Sequence, residues 1–395
     1  SVAVTYMGNR FDEYQNEYTG DIVIPEMVTF NETNYTVTSI GDYAFRDCTG
    51  LTSITIPNSV TNIGYDAFDG CISMTSITLS DSIVSIDNYA FLNCVHLTSI
   101  SLGENIVSIG EYAFSNCSSL TEITIPGNVA SIGYAAFYLC ENLKSVILND
   151  GVVSIGDYAF RECSSLSEVA IPNSVTNVGE GAFYKTPFFN NQPDGVIYFG
   201  GVLYQYKGTM PNNTHIDIKE NIVTISERAF YNCSGLTSVT LSESIVSIGD
   251  YAFADCIGLT EIIIPNSTTI LKEAAFAGCS GLKTITFGEG LTTIESLVFY
   301  NCAALKSVVL GNNVTTVGDA AFIYCSNLTD FTIGKNVESI GENTFEGCSF
   351  LASIFSNALI PPTIKSNTFT HYRASLYVPQ ESIEAYKVAE YWNKF

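Results

Sequence analysis

Leu51-Thr-Ser-Ile-Thr-Ile-Pro-Asn-Ser-Val-Thr-Asn-Ile-Gly-Tyr-Asp-Ala-Phe-Asp-Gly-Cys71 is one statement of a pattern that fills most of a 395-residue chain. Its apolar slots are Leu51, Ile54, Ile56, Val60, Ile63, Ala67, Phe68 and Cys71. The next stretch repeats them as Met74, Ile77, Leu79, Ile83, Ile86, Ala90, Phe91 and Cys94, and a later one as Leu236, Val239, Leu241, Ile245, Ile248, Ala252, Phe253 and Cys256. The cysteines keep the beat without a slip: Cys48 to Cys163 and Cys233 to Cys348 each advance in steps of 23 residues. A fixed period of this length marks a stack of one supersecondary unit, in which each coil buries its apolar face only against its neighbours.

Within a coil, Leu-x-x-Ile-x-Ile with hydroxyl residues between reads as a short strand with one buried face. Pro57, Pro126, Pro172 or Pro265 ends that strand. The next apolar pair, such as Val60 and Ile63, predicts a second extended piece, and Gly64, Gly110 or Gly249 then predicts a turn with relaxed steric limits. An acid-led stretch such as Asp157-Tyr158-Ala159-Phe160 predicts a single helical turn capped by the acid.

Phe45 through Phe183 mark a first array and Phe230 through Phe345 a second, with Phe369 as a degenerate last mark. Phe183 to Phe230 is 47 residues, two periods plus one, so the phase argues for a continuous solenoid. The expected organisation is an N-terminal cap over 1–36, repeats over 37–183, an irregular coil with a β-hairpin over 184–215, repeats over 216–353 and a C-terminal cap over 354–395. The first cap holds strand-like Val2–Tyr6 and Asp21–Ile24; the last holds a helix over Ser382–Trp392. The hairpin is read from Gly195 to Tyr206, which alternates around Gly200-Gly201.

A net charge of −24 disfavours nucleic acid and anionic membranes as partners. No run of 18 apolar residues exists to span a membrane. No signal peptide is visible, and Ser1 reads as the start of a mature or trimmed chain. Much of the acidity is positional: one row includes Asp42, Glu111, Asp157 and Glu180, another Asp81, Glu104 and Asp150. Capping and solvated turns account for these rows better than a cation site, because a calcium cage needs six or more oxygen ligands. The cysteines lie too far apart for zinc and inside the apolar pattern, so buried reduced thiols are expected rather than cross-coil disulfides. His96, His215 and His371 each lack a nucleophile set or a metal-spaced partner, and no phosphate loop or hydrolase motif occurs. No cofactor and no catalytic residue is expected.

Binding is the remaining class. Of 24 outward strand positions in twelve strands, fourteen are Ser or Thr, none is aromatic and none is Lys or Arg. The other ten include Ile147, Ala170, Ile263 and Val309; the six polar ones, Glu122, Glu168, His215, Asp217, Glu261 and Asp330, are candidate ligand contacts, although cross-strand pairing explains most of such a face. Tyr43, Tyr89, Tyr112, Tyr158 and Tyr251 precede the Phe slot by two and read as half-buried between coils. Phe188, Phe189, Tyr198, Phe199, Tyr204 and Tyr206 gather in the irregular coil. There Tyr198, Tyr204 and Tyr206 either dock a sugar or protein, or plug the gap where the repeat breaks.

The motif from Leu51 to Cys71 resembles the BspA-type, or Treponema-type, leucine-rich repeat, over roughly residues 37–353. The hairpin coil and the ending with Pro361-Pro362, Leu376-Tyr-Val-Pro379 and Tyr386 through Trp392 also resemble gut-bacterial members. The resemblance implies a β-rich leucine-rich-repeat solenoid with a curved parallel sheet on its concave face, short extended pieces and single helical turns elsewhere, and irregular caps. It further implies an extracellular or cell-surface bacterial protein, non-enzymatic and expected to be a monomer, that engages a protein or glycan ligand. Three readings follow: a protein-interaction or adhesion scaffold, a carbohydrate binder using the irregular coil, and a structural accessory of a surface assembly.

Overall fold

The computed structural model describes residues 1–5 and 18–395, and these form two compact units, Ser1–Gln192 and Pro193–Phe395. Each is a stack of coils in which strands of successive coils pair side by side and parallel. In the first unit a continuous ladder of short strands runs Asn62–Ile63, Ser85–Ile86, Ser108–Ile109, Ser131–Ile132, Ser154–Ile155 and Asn177–Val178. Its register never changes: Ile63 faces Ile86, Ile86 faces Ile109, and so on to Val178. All of these side chains are buried. The longer Leu-x-x-Ile strands pair parallel as expected, but only in separate stretches, such as Ser76–Thr78 with Ser99–Ser101, or Glu122–Ile125 with Ser145–Leu148 and Glu168–Ala170.

The start of the first unit holds more order than a cap of isolated strand pieces. Val2–Val4 and Gly20–Val23 are strands, while Tyr6 lies outside the described residues. Met27–Phe30 and Thr33–Ile40 form an antiparallel hairpin. Asn31 and Glu32 turn it with φ of 47° and 61°, the left-handed pair that a two-residue hairpin loop requires.

The acid-led stretch is not a helical turn. Tyr158 and Glu162 both take left-handed backbone, with φ of 57° and 62°. The same two slots recur as Tyr43 and Asp47, Tyr89 and Asn93, and Tyr112 and Asn116. A non-glycine residue in this region costs about 1–2 kcal/mol. The compensation is a third parallel ladder: the amides of Tyr158, Phe160 and Glu162 donate to the carbonyls of Glu180, Ala182 and Tyr184 one coil on, at 2.8–2.9 Å. A helical turn would have spent those amides within the coil. The leading acid therefore caps its neighbour instead: Asp42 Oδ1 accepts from the Tyr65 amide, Asp157 Oδ1 from Glu180 and Asp319 Oδ1 from Glu342.

The repeated glycine serves closeness rather than an unusual φ. A Cβ on Gly64 would lie 2.5 Å from Asp42 Oδ1 and 2.9 Å from the carbonyl carbon of Gly41. The slot favours glycine without requiring it: Asp87 and Lys272 stand there in other coils, their amides 3.0 Å from the Ile63 and Ile248 carbonyls, the same distance as from Gly64 to Ile40.

The core is a set of files. In the first unit Phe45, Phe68, Phe91, Phe114, Phe137, Phe160 and Phe183 stack with centroids 5.1–5.5 Å apart. Beside them Cys71 Sγ donates to the carbonyl of Phe45, and the bond recurs at Cys94, Cys117, Cys140 and Cys163. These thiols are free and, as expected, buried. The bond explains the sulfur: a carbonyl turned into the core needs a small donor that is otherwise apolar. Phe188, within the Thr186-capped turn Pro187–Asn190, closes the file edge-on against Phe183 at 5.1 Å.

The second unit opens with the expected hairpin, Gly195–Phe199 antiparallel to Val202–Lys207. Leu203 then pairs with Ile225 and starts the continuous short-strand ladder through Ser339–Ile340. Its phenylalanine file runs from Phe230 to Phe345 and does reach Phe369, which stacks on Phe345 at 4.7 Å. The long-strand file continues past residue 353 as Ser353–Ser356 and Ser375–Tyr377, in register with Asp330–Ile333. The final helix is shorter than Ser382–Trp392 predicts. It covers Ile383–Val388, because Ala389 turns extended and Tyr391 takes φ 64°. That break swings Trp392 into the core, where its Nε1 donates to the Pro362 carbonyl at 2.7 Å.

Candidate binding surfaces

The three hairpin tyrosines do not form a presenting surface. Tyr204 is only 6% exposed and lies tilted against Phe199 at 5.0 Å. Tyr206 is half-buried and packs 6.4 Å from Phe230, at the head of the phenylalanine file. Tyr198 is half-buried with Lys219 Nζ 4.3 Å from its ring centroid, and burial raises its phenol above the ordinary value. Ile197 and Phe199 on one strand and three successive residues, Val202, Leu203 and Tyr204, on the other are buried, so these rings cover the first coil of the second unit. Tyr204 leaves little ring surface for a ligand to stack on.

The outward strand candidates are exposed except for Asp330, and only His215 and Asp217 among them touch. His215 Nε2 sits 3.0 Å from Asp217 Oδ1 and its Nδ1 2.7 Å from Ser238 Oγ. Hydrogen bonds from Thr240 and then His215 hold the Asp217 carboxyl below its ordinary range. Glu122 and Glu168 are exposed with Ser145 in register between them, a separation of roughly 10 Å for two strand spacings. Glu261 is exposed beside Thr284, and Asp330 is half-buried, accepting from Thr329 Oγ1 at 2.7 Å. Glu168 also lines a shallow cavity of about 570 Å³ with Ile147, Phe188 and Gln192. Among the described residues no three His, Cys, Asp or Glu side chains converge as metal ligands would.

Two surfaces stand out that the reading of the sequence did not single out. The first is a column on the second unit. In the outward position after the inward Ile or Val, Ile263 and Val309 alternate with Thr286 and Thr332, and Phe355 and Tyr377 end the row; the four apolar residues are exposed at 67%, 61%, 38% and 52%. Phe355 and Tyr377 stack at 4.8 Å with rings nearly parallel. The face therefore does contain aromatics, because the strand file extends two strands further than a boundary at 353 allows. The signal was available: Leu351 and Ile354 keep the 23-residue beat from Leu328 and Phe331.

The second is a tyrosine file on the first unit. Tyr43, Tyr89, Tyr112 and Tyr158 are half-buried between coils as expected. Tyr65 and Tyr134 join them from the acid slot, filling in where the left-handed slot holds Asp66 or Ala135. The six rings follow one another at 5.2–5.5 Å. At one end Arg161 lies 5.1 Å from the Tyr158 ring and 5.0 Å from that of Tyr184. At the other, Arg46 sits among Asp47, Asp66 and Asp69, at 3.8, 3.2 and 3.5 Å. Burial pushes the Asp66 carboxyl up to about 6 against the opposing pull of Arg46.

The match to a protein-family description of the BspA-type leucine-rich repeat region covers residues 26–143, 85–193, 203–329 and 247–376. The chain belongs to the BspA-type leucine-rich repeat family. No curated protein matches it. Among solved structures, this BspA-type chain is similar to a leucine-rich repeat protein from Bacteroides ovatus, at 27% identity over 91% of this chain and 92% of that one, with a TM-score of 0.40. It is also similar to a leucine-rich cell surface protein from Faecalibacterium prausnitzii, at 29% identity over 89% of each chain, TM-score 0.41. A Treponema pallidum leucine-rich repeat protein shares 34% identity over 42% of this chain and 77% of its own, TM-score 0.40. Among the described residues of the BspA-type chain no helix is long and apolar enough to cross a membrane.

Proposed function

We propose that this BspA-type chain is a non-enzymatic binding scaffold of the bacterial cell surface or its surroundings. Its protein ligand is held on the outward side of the long strands of the second unit. The observation that carries this reading is the column of Ile263, Val309, Phe355 and Tyr377. The exposed, stacked pair of Phe355 and Tyr377 has the aromatic character of interface hot spots, and Ile263 and Val309 add exposed apolar area along the same row. His215, Asp217, Glu261 and Asp330 occupy the same face and supply polar contacts around the column. An extracellular or cell-surface location is part of the proposal and draws on family membership.

The test is capture of the biotinylated full chain by panels of extracellular-matrix and bacterial surface proteins, followed by Phe355→Ala and Tyr377→Ala. Each substitution is expected to weaken the captured interaction about tenfold, as hot-spot truncations do. Thr124→Ala, on a strand of the first unit, leaves it unchanged. Silence across the panel, or full retention by both variants, overturns the reading. Retention on a glycan array without protein capture would favour a sugar ligand, and stable co-purification with one endogenous protein would favour a structural accessory.

A further inference from the structure

The long-strand file of the first unit ends at Glu168–Ala170. One edge of that strand is bonded to the coil before, where the Ser167 and Glu168 amides donate to the Lys144 carbonyl at 3.1 and 3.2 Å. Among the described residues no strand pairs with its other edge. The 23-residue period would set Asn191 and Gln192 beside Glu168 and Val169. Instead the chain makes the short helix Pro187–Asn190 there, and Asn191 keeps helical backbone at φ −83° and ψ −6°. That helix reaches back with the Phe188 amide, which donates to the Leu166 carbonyl at 2.7 Å, ahead of the strand itself. A rung of the file is therefore missing. The space left is the cavity of about 570 Å³ lined by Ile147, Glu168, Val169, Ala170, Phe188 and Gln192.

Three properties select an occupant. The first is the edge itself: an open strand presents a row of main-chain donors and acceptors, which an extended segment satisfies by adding itself as the next strand. The second is charge. Glu168 is exposed on the outward face, and Glu122, two strands away on the same face, adds to its negative field. Among the described residues no cation pairs with Glu168, neither Lys144 of the coil before nor Arg161 and Lys185, which are both engaged with Glu162. The third is size. Ala170 is small, and Ile147, its partner in register, stands 48% exposed behind it. Outward side chains of an added strand recur at every second residue, so one faces Glu168 and the next faces Ala170. The segment that fits carries a basic residue and, two positions away, a large apolar one that reaches over Ala170 towards Ile147.

We propose that the open edge of Glu168–Ala170 is a strand-addition site for an extended segment of a protein partner, with a lysine or arginine against Glu168 and a large apolar side chain over Ala170. It belongs to the first unit, whereas the apolar row of the proposed ligand face belongs to the second, so the two stand or fall separately. The probe is a fluorescein-labelled nonapeptide of threonine with lysine at its fourth position and leucine at its sixth. Its binding to the full chain is read by fluorescence anisotropy. Only every second residue of an added strand bonds to the edge it joins. N-methylating one alternate set of peptide amides is therefore expected to weaken binding about tenfold or more, and methylating the other set to leave it nearly unchanged. Glu168→Gln weakens the probe about two- to fivefold, the range of a cross-strand charge pair. Glu168→Lys reverses the preference, binding a probe with glutamate in place of lysine more tightly than the original, which a misfolded chain would not do. Glu261→Gln and Phe355→Ala in the second unit have no effect. No binding of the probe, equal loss from both methylated sets, or indifference to both Glu168 variants overturns the proposal.

Discussion

Replacing Phe137 by alanine tests the inside-outside assignment on which the rest depends. Phe137 has no exposed surface, and its ring is stacked between Phe114 and Phe160, 5.2 Å from each. Truncating a buried Phe to Ala costs about 3–5 kcal/mol, from lost transfer energy plus the cavity left behind. The upper half of that range is expected, since the ring loses two stacked partners at once and parallel aromatic pairs add about 0.5–1.5 kcal/mol beyond buried area. Backbone ladders on every side of the coil limit how far the gap can collapse: the Phe137 amide donates to Ala159 and the Phe114 amide to Ala136. The cavity therefore persists. Thr124→Ala, one strand away with its side chain outward, should change stability by about 0.5 kcal/mol or less. Urea unfolding followed by circular dichroism measures both. Because a coil stack is coupled mainly through neighbours, the Phe137→Ala transition is also expected to broaden or split. Equal destabilisation by the two substitutions would refute the assignment of phenylalanines inside and hydroxyls outside.

Other substitutions probe the turn, the acid cluster and the thiols. Asn116 combines φ 58° with a hydrogen bond from its Nδ2 to Asn93 Oδ1 at 3.0 Å. Asn116→Val should cost about 2–3 kcal/mol in the same unfolding assay, while Asn116→Gly, which tolerates the backbone, should cost about 1 kcal/mol or less. Asp66 has a folded pKa raised to about 6 from 3.8, so the folded chain holds more protons between those values. Its contribution to stability is fully present below about pH 4 and is lost as pH rises through 6. The melting temperature of Asp66→Asn should therefore gain on the native protein between pH 4 and 7, and a flat difference would count against this. Burial raises the thiols generally, Cys279 to about 12, whereas the partly exposed Cys233 reaches only about 11. A disulfide reagent on the native chain should label Cys233 first, and Cys233→Ser should remove that fast phase.

The period, the buried slots and the parallel pairing were all legible from Leu51 to Cys71, because an identical environment repeated along an axis imposes identical residues. The left-handed turn was not. Asp-Tyr-Ala-Phe matches a capped helix start, and tyrosine is not a usual occupant of positive φ. What overrides its preference is hydrogen bonding to the next coil, an interaction between residues 22 apart that local pattern does not reveal. The tyrosine file shows the same limit. Tyr65 and Tyr134 look unrelated to Tyr43 and Tyr89 by slot, and only the packing reveals that a ring from the adjacent position fills the place left by Asp66 or Ala135. For the hairpin, alternation predicted the strands correctly, yet two-sided patterning could not say which side faced the core, and Tyr204 proved to be inside.

The unvarying register of the short strands carries an evolutionary corollary. Since Ile63, Ile86 and Ile109 meet their neighbours in the same way, excising the span from one isoleucine to the next would bring Ile109 against Ile63 with the ladder register kept. Recombination between the tandem copies in the gene can thus lengthen or shorten the reach of this protein without a misfolded intermediate design. Variation in coil number among strains would be an expected by-product of its own geometry.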